Sequence, residues 1–115
     1  MGFFSLVGDF FRNLWDMLCN IGKTIYQKIV SFVKNVVSFF QKPSRLEQLE
    51  QHKEYIATVI KENLDNGKVR IINCLYDKNK EKVVNYEEDA IGYELEQMDS
   101  ELARNFGNEN MIILQ

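Results

Sequence analysis

The sequence predicts an α+β fold: a long N-terminal amphipathic helical segment followed by a small α-β-β-(β)-α-β domain. Three observations predict it. Apolar residues recur in steps of three and four from Phe3 to Phe40, the spacing of a helical stripe. Short runs rich in β-branched residues follow between turn residues. Charge and aromatic content also change together near residue 42. Residues 1–42 carry five Lys/Arg against two Asp, with seven of the eight phenylalanines and the only tryptophan. The remainder carries nine Lys/Arg against fifteen Asp/Glu. The shared change point predicts two parts, 1–42 and 43–115.

The stripe of the first part runs through Phe3, Val7, Phe10, Leu14, Leu18, Ile21, Ile25, Ile29, Phe32, Val36 and Phe40, and Phe11, Trp15 and Val33 widen it. Asp9, Arg12, Asp16, Lys23, Lys28 and Lys34 lie on the other side. A straight helix of this length would extend about 55–60 Å, and Gly22 is a candidate hinge into two shorter helices. The face is too charged to cross a bilayer alone, because the best window, Ile25 to Phe40, contains Lys28 and Lys34. A helix lying in a lipid interface fits the pattern. On that reading Phe3, Phe10, Phe11, Leu14, Trp15, Leu18, Ile25, Ile29, Phe32, Val36 and Phe40 insert. Arg12, Lys23, Lys28, Lys34 and Lys42 then contact the headgroups of an anionic leaflet. The same face could instead bury against a partner protein or a second copy, making a homo-oligomer, or against its own domain. The opening Met1-Gly2-Phe3-Phe4, running into an amphipathic helix, resembles the membrane-binding N-terminal helix of the phage-shock family. The resemblance implies attachment to a lipid surface; the long helical hairpin of that family has no counterpart here.

Gln41-Lys42-Pro43-Ser44 closes the first part. Ser44 with Glu47 forms a capping box, and Leu46, Leu49, Ile56, Val59, Ile60 and Leu64 line one face. Together they predict a helix over 44–65, stopped by Asp65-Asn66-Gly67. Lys68 to Tyr76 reads as a central strand and Glu81 to Tyr86 as its return, across a turn at Asp77-Lys78-Asn79-Lys80. Ile91, Tyr93 and Leu95 alternate as in a strand, yet Ile91, Leu95, Met98, Leu102 and Phe106 also make a helical stripe. Gly92 and the N-cap candidate Asp99 favour a strand followed by a short helix, which Gly107 stops. Met111 to Leu114 reads as a final buried strand.

The same residues exclude most chemistries. Cys19 and Cys74 have no metal-ligand spacing and read as buried thiols of a reducing compartment. The sole histidine, His52, has polar neighbours and no orienting partner in sequence. Asp77, Asn79 and Glu81 alternate like calcium ligands, but Lys82 stands at the loop-glycine position and Lys78 and Lys80 repel a cation. Glu87-Glu88-Asp89 reads as a solvated loop. No phosphate loop, nucleophile elbow or zinc motif is present. Asp9, Arg12 and Asp16 break any signal-peptide core, and Leu6 stands where myristoylation wants Ser or Thr. The expectation is a cytoplasmic, non-enzymatic protein peripheral to the membrane, without cofactor, metal or nucleic acid. The alternative is a structural or interaction protein that assembles through residues 3–41.

Overall fold

The computed structural model describes residues 9–114. Its elements are α1 (Asp9–Asn20), β1 (Thr24–Gln27), a π-helical turn (Phe32–Val37) continued by α2 (Ser38–Phe40), and α3 (Pro43–Gln51). Then come β2 (Tyr55–Asn63), β3 (Val69–Asp77), β4 (Lys82–Val83), α4 (Tyr86–Asp89), β5 (Ala90–Leu95), α5 (Ser100–Phe106) and β6 (Met111–Leu114). The strands make one sheet in the order β1-β5-β3-β2-β6, with β4 on the end of β3. Every pairing is antiparallel except β1 with β5. The α+β class is as the sequence predicts.

The long N-terminal helix is not. α1 stops at Asn20, and the stop is written in backbone bonds. The Gly22 N–H reaches the Cys19 carbonyl and the Lys23 N–H reaches Leu18, with Gly22 at φ +73°. That is a Schellman ending with glycine in the left-handed C′ position. Beyond it, Thr24-Ile25-Tyr26 has the β-branched and aromatic character of a strand. Phe3 lies outside the described residues.

The expected helix over 44–65 is also corrected. α3 covers only its first part, entered through Pro43 at the first helical position, and Ser44 makes no side-chain cap. Tyr55 to Asn63 is a strand paired residue for residue with β3, from Tyr55 opposite Asp77 to Asn63 opposite Val69. The physical reason is the run Ile56, Thr58, Val59, Ile60, whose branched side chains lose rotamer freedom in a helix and pack well on a pleated surface. Gly67, at φ +86°, closes the hairpin. The strand expected at 81–86 shrinks to Lys82–Val83, and Tyr86 opens a single helical turn. β5, α5 and β6 stand where the sequence puts them, and Asp99 caps α5 by accepting from the Leu102 N–H.

Both faces of the sheet are covered. α1 lays Phe11, Leu14, Trp15 and Leu18 over Ile60, Ile72, Cys74, Tyr76 and Ala90. Val30, Val36, Phe40, Leu102 and Phe106 cover the other face over Val59, Ile71, Leu75 and Leu95. The parts 1–42 and 43–115 therefore share one sheet and its cores. The aromatic stripe of the first part is split between the two faces.

Candidate interaction surface

β1 is an edge strand of four residues with no charge, Thr24-Ile25-Tyr26-Gln27. Its side chains alternate across the sheet. Thr24 lies on the α1 side, where its Cγ2 and the Trp15 ring crowd Gly92; Ile25 takes the opposite face. The ladder to β5 fixes which backbone groups are free. Thr24 stands opposite Gly92, and the Gly92 N–H donates to the Lys23 carbonyl. In a parallel ladder, the odd residues of β1 therefore turn their backbone groups to β5. The N–H and C=O of Thr24 and Tyr26 point away from the sheet, and among the described residues no strand pairs with them.

Exposed apolar side chains are concentrated in the segment of chain that contains this strand. Among the described residues, six of the eight large ones, Met17, Ile21, Ile25, Tyr26, Ile29 and Val33, lie between residues 17 and 33. Lys23, Lys28 and Lys34 interleave with them. Tyr26 is 54% exposed, and the Lys68 ammonium stands 5.5 Å from its ring centroid. Partial burial and then Glu96 push the Tyr26 phenol above its ordinary range, so it stays neutral at physiological pH.

A second concavity, an open groove of about 630 Å³, lies between α1 and the β3–β4 turn. Phe10, Leu14, Met17, Tyr55, Val83 and Tyr86 give it an apolar floor, and Lys80, Lys82 and Glu87 stand at its rim. The Asp77 carboxylate beside it is committed to the turn, accepting the N–H groups of Asn79 and Lys80. His52 stacks on Tyr55 at 4.4 Å, with Nδ1 3.6 Å from Glu54. Burial pushes the Cys74 thiol up to about 11, and Thr58 is its hydroxyl neighbour at 3.3 Å. Cys19, expected to be buried, is exposed. Among the described residues no cluster of His, Cys, Asp and Glu could hold a metal ion, and no helix is long and apolar enough to cross a membrane.

The described residues among those expected to insert into lipid fall into three groups. Phe11, Leu14, Trp15, Leu18, Val36 and Phe40 are buried in the two cores. Phe10 and Phe32 are half-buried against those cores. Among these described residues only Ile25 and Ile29 are exposed. Of the expected headgroup contacts, Arg12 is tied to Asp9 and Glu62 at 3.1 and 3.0 Å. Lys28, Lys34 and Lys42 are exposed and Lys23 half-buried. The structure instead places Thr24 and Tyr26 on the free edge of the sheet, with exposed Ile21, Ile25 and Ile29 beside them in the chain. Sequence periodicity missed Thr24 and Tyr26 because it ran a helix through them. The signal that finds them is Asn20-Ile21-Gly22, a helix stop, followed directly by β-forming residues.

Comparison with protein-family models, with characterised proteins and with solved structures finds no match to this chain.

Proposed function

We propose that the protein is a non-enzymatic interaction module that takes up an extended protein strand on the free edge of β1. The observation that carries this reading is the outward phase of Thr24 and Tyr26, next to exposed Ile21, Ile25 and Ile29. An added strand would pair those backbone groups and cover the aliphatics, the mode known as β-augmentation. Energetics favour protein over lipid as the occupant. An open sheet edge placed in hydrocarbon leaves N–H and C=O groups unpaired, at several kcal/mol each. Presenting the aromatic face to lipid would require lifting Phe11, Leu14, Trp15 and Leu18 off the sheet, at roughly 1.5–3 kcal/mol per side chain. That sum rivals the whole stability of a small domain.

Peptide display against the full chain tests the reading. Selected peptides should bind the wild type and lose at least about tenfold in affinity, or about 1.4 kcal/mol, on Tyr26→Pro, which deletes an outward N–H. Equal binding to both would refute it.

One observation favours a second reading, contact with an anionic cytoplasmic leaflet: Lys23, Lys28 and Lys34 alternate with Ile21, Ile25, Ile29 and Val33. Flotation with phosphatidylserine vesicles, abolished by Lys23→Glu with Lys28→Glu, would replace the first reading with this one.

A further inference from the structure

We infer that the strand taken up by β1 is β1 of a second copy, running antiparallel about a twofold axis through Ile25. The inference rests on the docking reading above and names its partner.

The phase of the edge carries it. Two antiparallel strands bond only where both turn their backbone groups toward each other, so Thr24 and Tyr26 must meet residues of the same phase. Three twofold registers satisfy this. With Thr24 on the axis, Lys23 falls opposite Ile25 of the second copy and Gly22 opposite Tyr26. With Tyr26 on the axis, Lys28 falls opposite Thr24. With Ile25 on the axis, Thr24 meets Tyr26 of the second copy and Tyr26 meets its Thr24. Each of these two pairs exchanges both bonds, which makes four, and Lys23 lies opposite the uncharged Gln27. Shifting the axis to lie between Ile25 and Tyr26 puts the backbone groups out of phase and sets Lys23 against Lys28, a like-charge pair. One register is therefore in phase, saturates both outward residues and keeps the bracketing lysines apart.

The side chains agree with that register. Ile25, 41% exposed on the free chain, meets its own copy across the axis with Cβ atoms about 4.5–5.5 Å apart. Thr24 packs beside Tyr26 of the second copy on the α1 side. The strand carries no proline and no charge within its four residues, so only Lys23 and Lys28 guard the edge, and they sit outside the bonded pairs. The contact is isologous and closed: it uses one edge of each copy and stops at two. Four strand residues and the flanking aliphatics make a small interface, in the range of weak, concentration-dependent association.

Sedimentation velocity of the full chain over roughly 10 μM to 1 mM tests it, a range spanning weak dimer constants. The mass should climb from 13.6 kDa towards twice that value. Tyr26→Pro should hold it at the monomer, since the lost N–H faces outward and the ladder to β5 is untouched. Ile113→Pro, the matching change on the opposite edge strand, should leave the climb in place. As a second readout that needs no proline, Ile25→Cys in a Cys19→Ser background should form an intermolecular disulfide with diamide as oxidant. It should do so at least about tenfold faster than Val33→Cys in the same background, because only position 25 lies on the axis. A mass fixed at 13.6 kDa across the range, with equal cross-linking at 25 and 33, would overturn the inference. So would a climb abolished by Ile113→Pro and not by Tyr26→Pro. If the chain stays monomeric while displayed peptides still require the Tyr26 N–H, the second copy is excluded and strand docking stands. If neither depends on Tyr26, both fall.

Discussion

Arg45 and Asp89 meet out of water, with Nε 3.2 Å from Oδ1, and between them they hold α3 against α4. The guanidinium also donates to the carbonyls of Phe39 and Glu88 and lies 3.7 Å above the Phe39 ring. The second oxygen of Asp89 accepts from Gln48. Burial pulls the Arg45 pKa below its ordinary value, and Asp89 opposes that pull. Removing one member of a buried pair strands the other charge, so Asp89→Ala should cost about 3–5 kcal/mol in urea unfolding. Arg45→Met added to Asp89→Ala should recover part of the loss, because it removes the stranded charge.

Gly92 is the contact point between α1 and the sheet. A Cβ there would stand 2.7 Å from Trp15 Cζ3 and 3.2 Å from Thr24 Cγ2. Trp15 also carries Arg70, 4.8 Å over the ring and paired to Glu94 at 3.0 Å. The indole has little room to yield. Gly92→Ala should destabilise by about 1–3 kcal/mol and red-shift the emission of this single tryptophan. Combining it with Trp15→Phe should show clear non-additivity in a double-mutant cycle.

The Cys74 thiol gives the fold an alkaline limit. Its pKa rises from an ordinary 9.0 to about 11 through burial, so the native state favours the protonated form. Stability from this site is complete below about pH 9 and declines as pH climbs towards about 11, by roughly 2–3 kcal/mol in total. Burial also raises the phenols of Tyr93 and Tyr76, which steepens the same limb. Cys74→Ala should flatten the alkaline slope. Thiol titration should find Cys19 reactive in the native protein and Cys74 reactive only after unfolding.

Asn73 is a polar residue set in an apolar layer. It is fully buried between Ile71 and Leu75 on β3, and neither its amide nitrogen nor its oxygen meets a protein partner. Its cross-strand neighbours are Val59 and Ile91. Asn73→Val removes the unpaired groups and suits a central strand, so it should raise stability by about 1–2 kcal/mol. Thermal denaturation checks this directly.

Where local signals were unambiguous, the sequence placed the elements well. β3 has continuous apolar character, α5 has Asp99 to cap it and Gly107 to end it, and β6 is a short aliphatic run. The two largest failures, at Thr24–Gln27 and Tyr55–Asn63, share a cause. In each, apolar residues fit steps of three and four and also fit alternation, and the arbiter was a pairing partner elsewhere in the chain. β2 has β3 close by, and β1 has β5 far away. The candidate surface inherited the second failure. Continuing a helix through Thr24 and Tyr26 hid the edge, while the residues marked as an outward face, Phe11 to Leu18, became core. Of the described apolar residues expected to insert, Ile25 and Ile29 alone are exposed, and for a different reason than the one the sequence suggested.

The parallel pairing of β1 with β5 also orders events in time. Thr24 meets Gly92, 68 residues later in the chain, so closing that loop comes late and slows folding relative to the neighbouring β2–β3 hairpin. As the ribosome delivers the chain, β1 precedes β5 and has no strand to pair with until Ala90–Leu95 has joined β3. β1 is therefore made before its partner strand and docks after the β2–β3 hairpin. Until then both edges of β1, one of them covered by β5 in the finished molecule, are open to whatever meets the nascent chain.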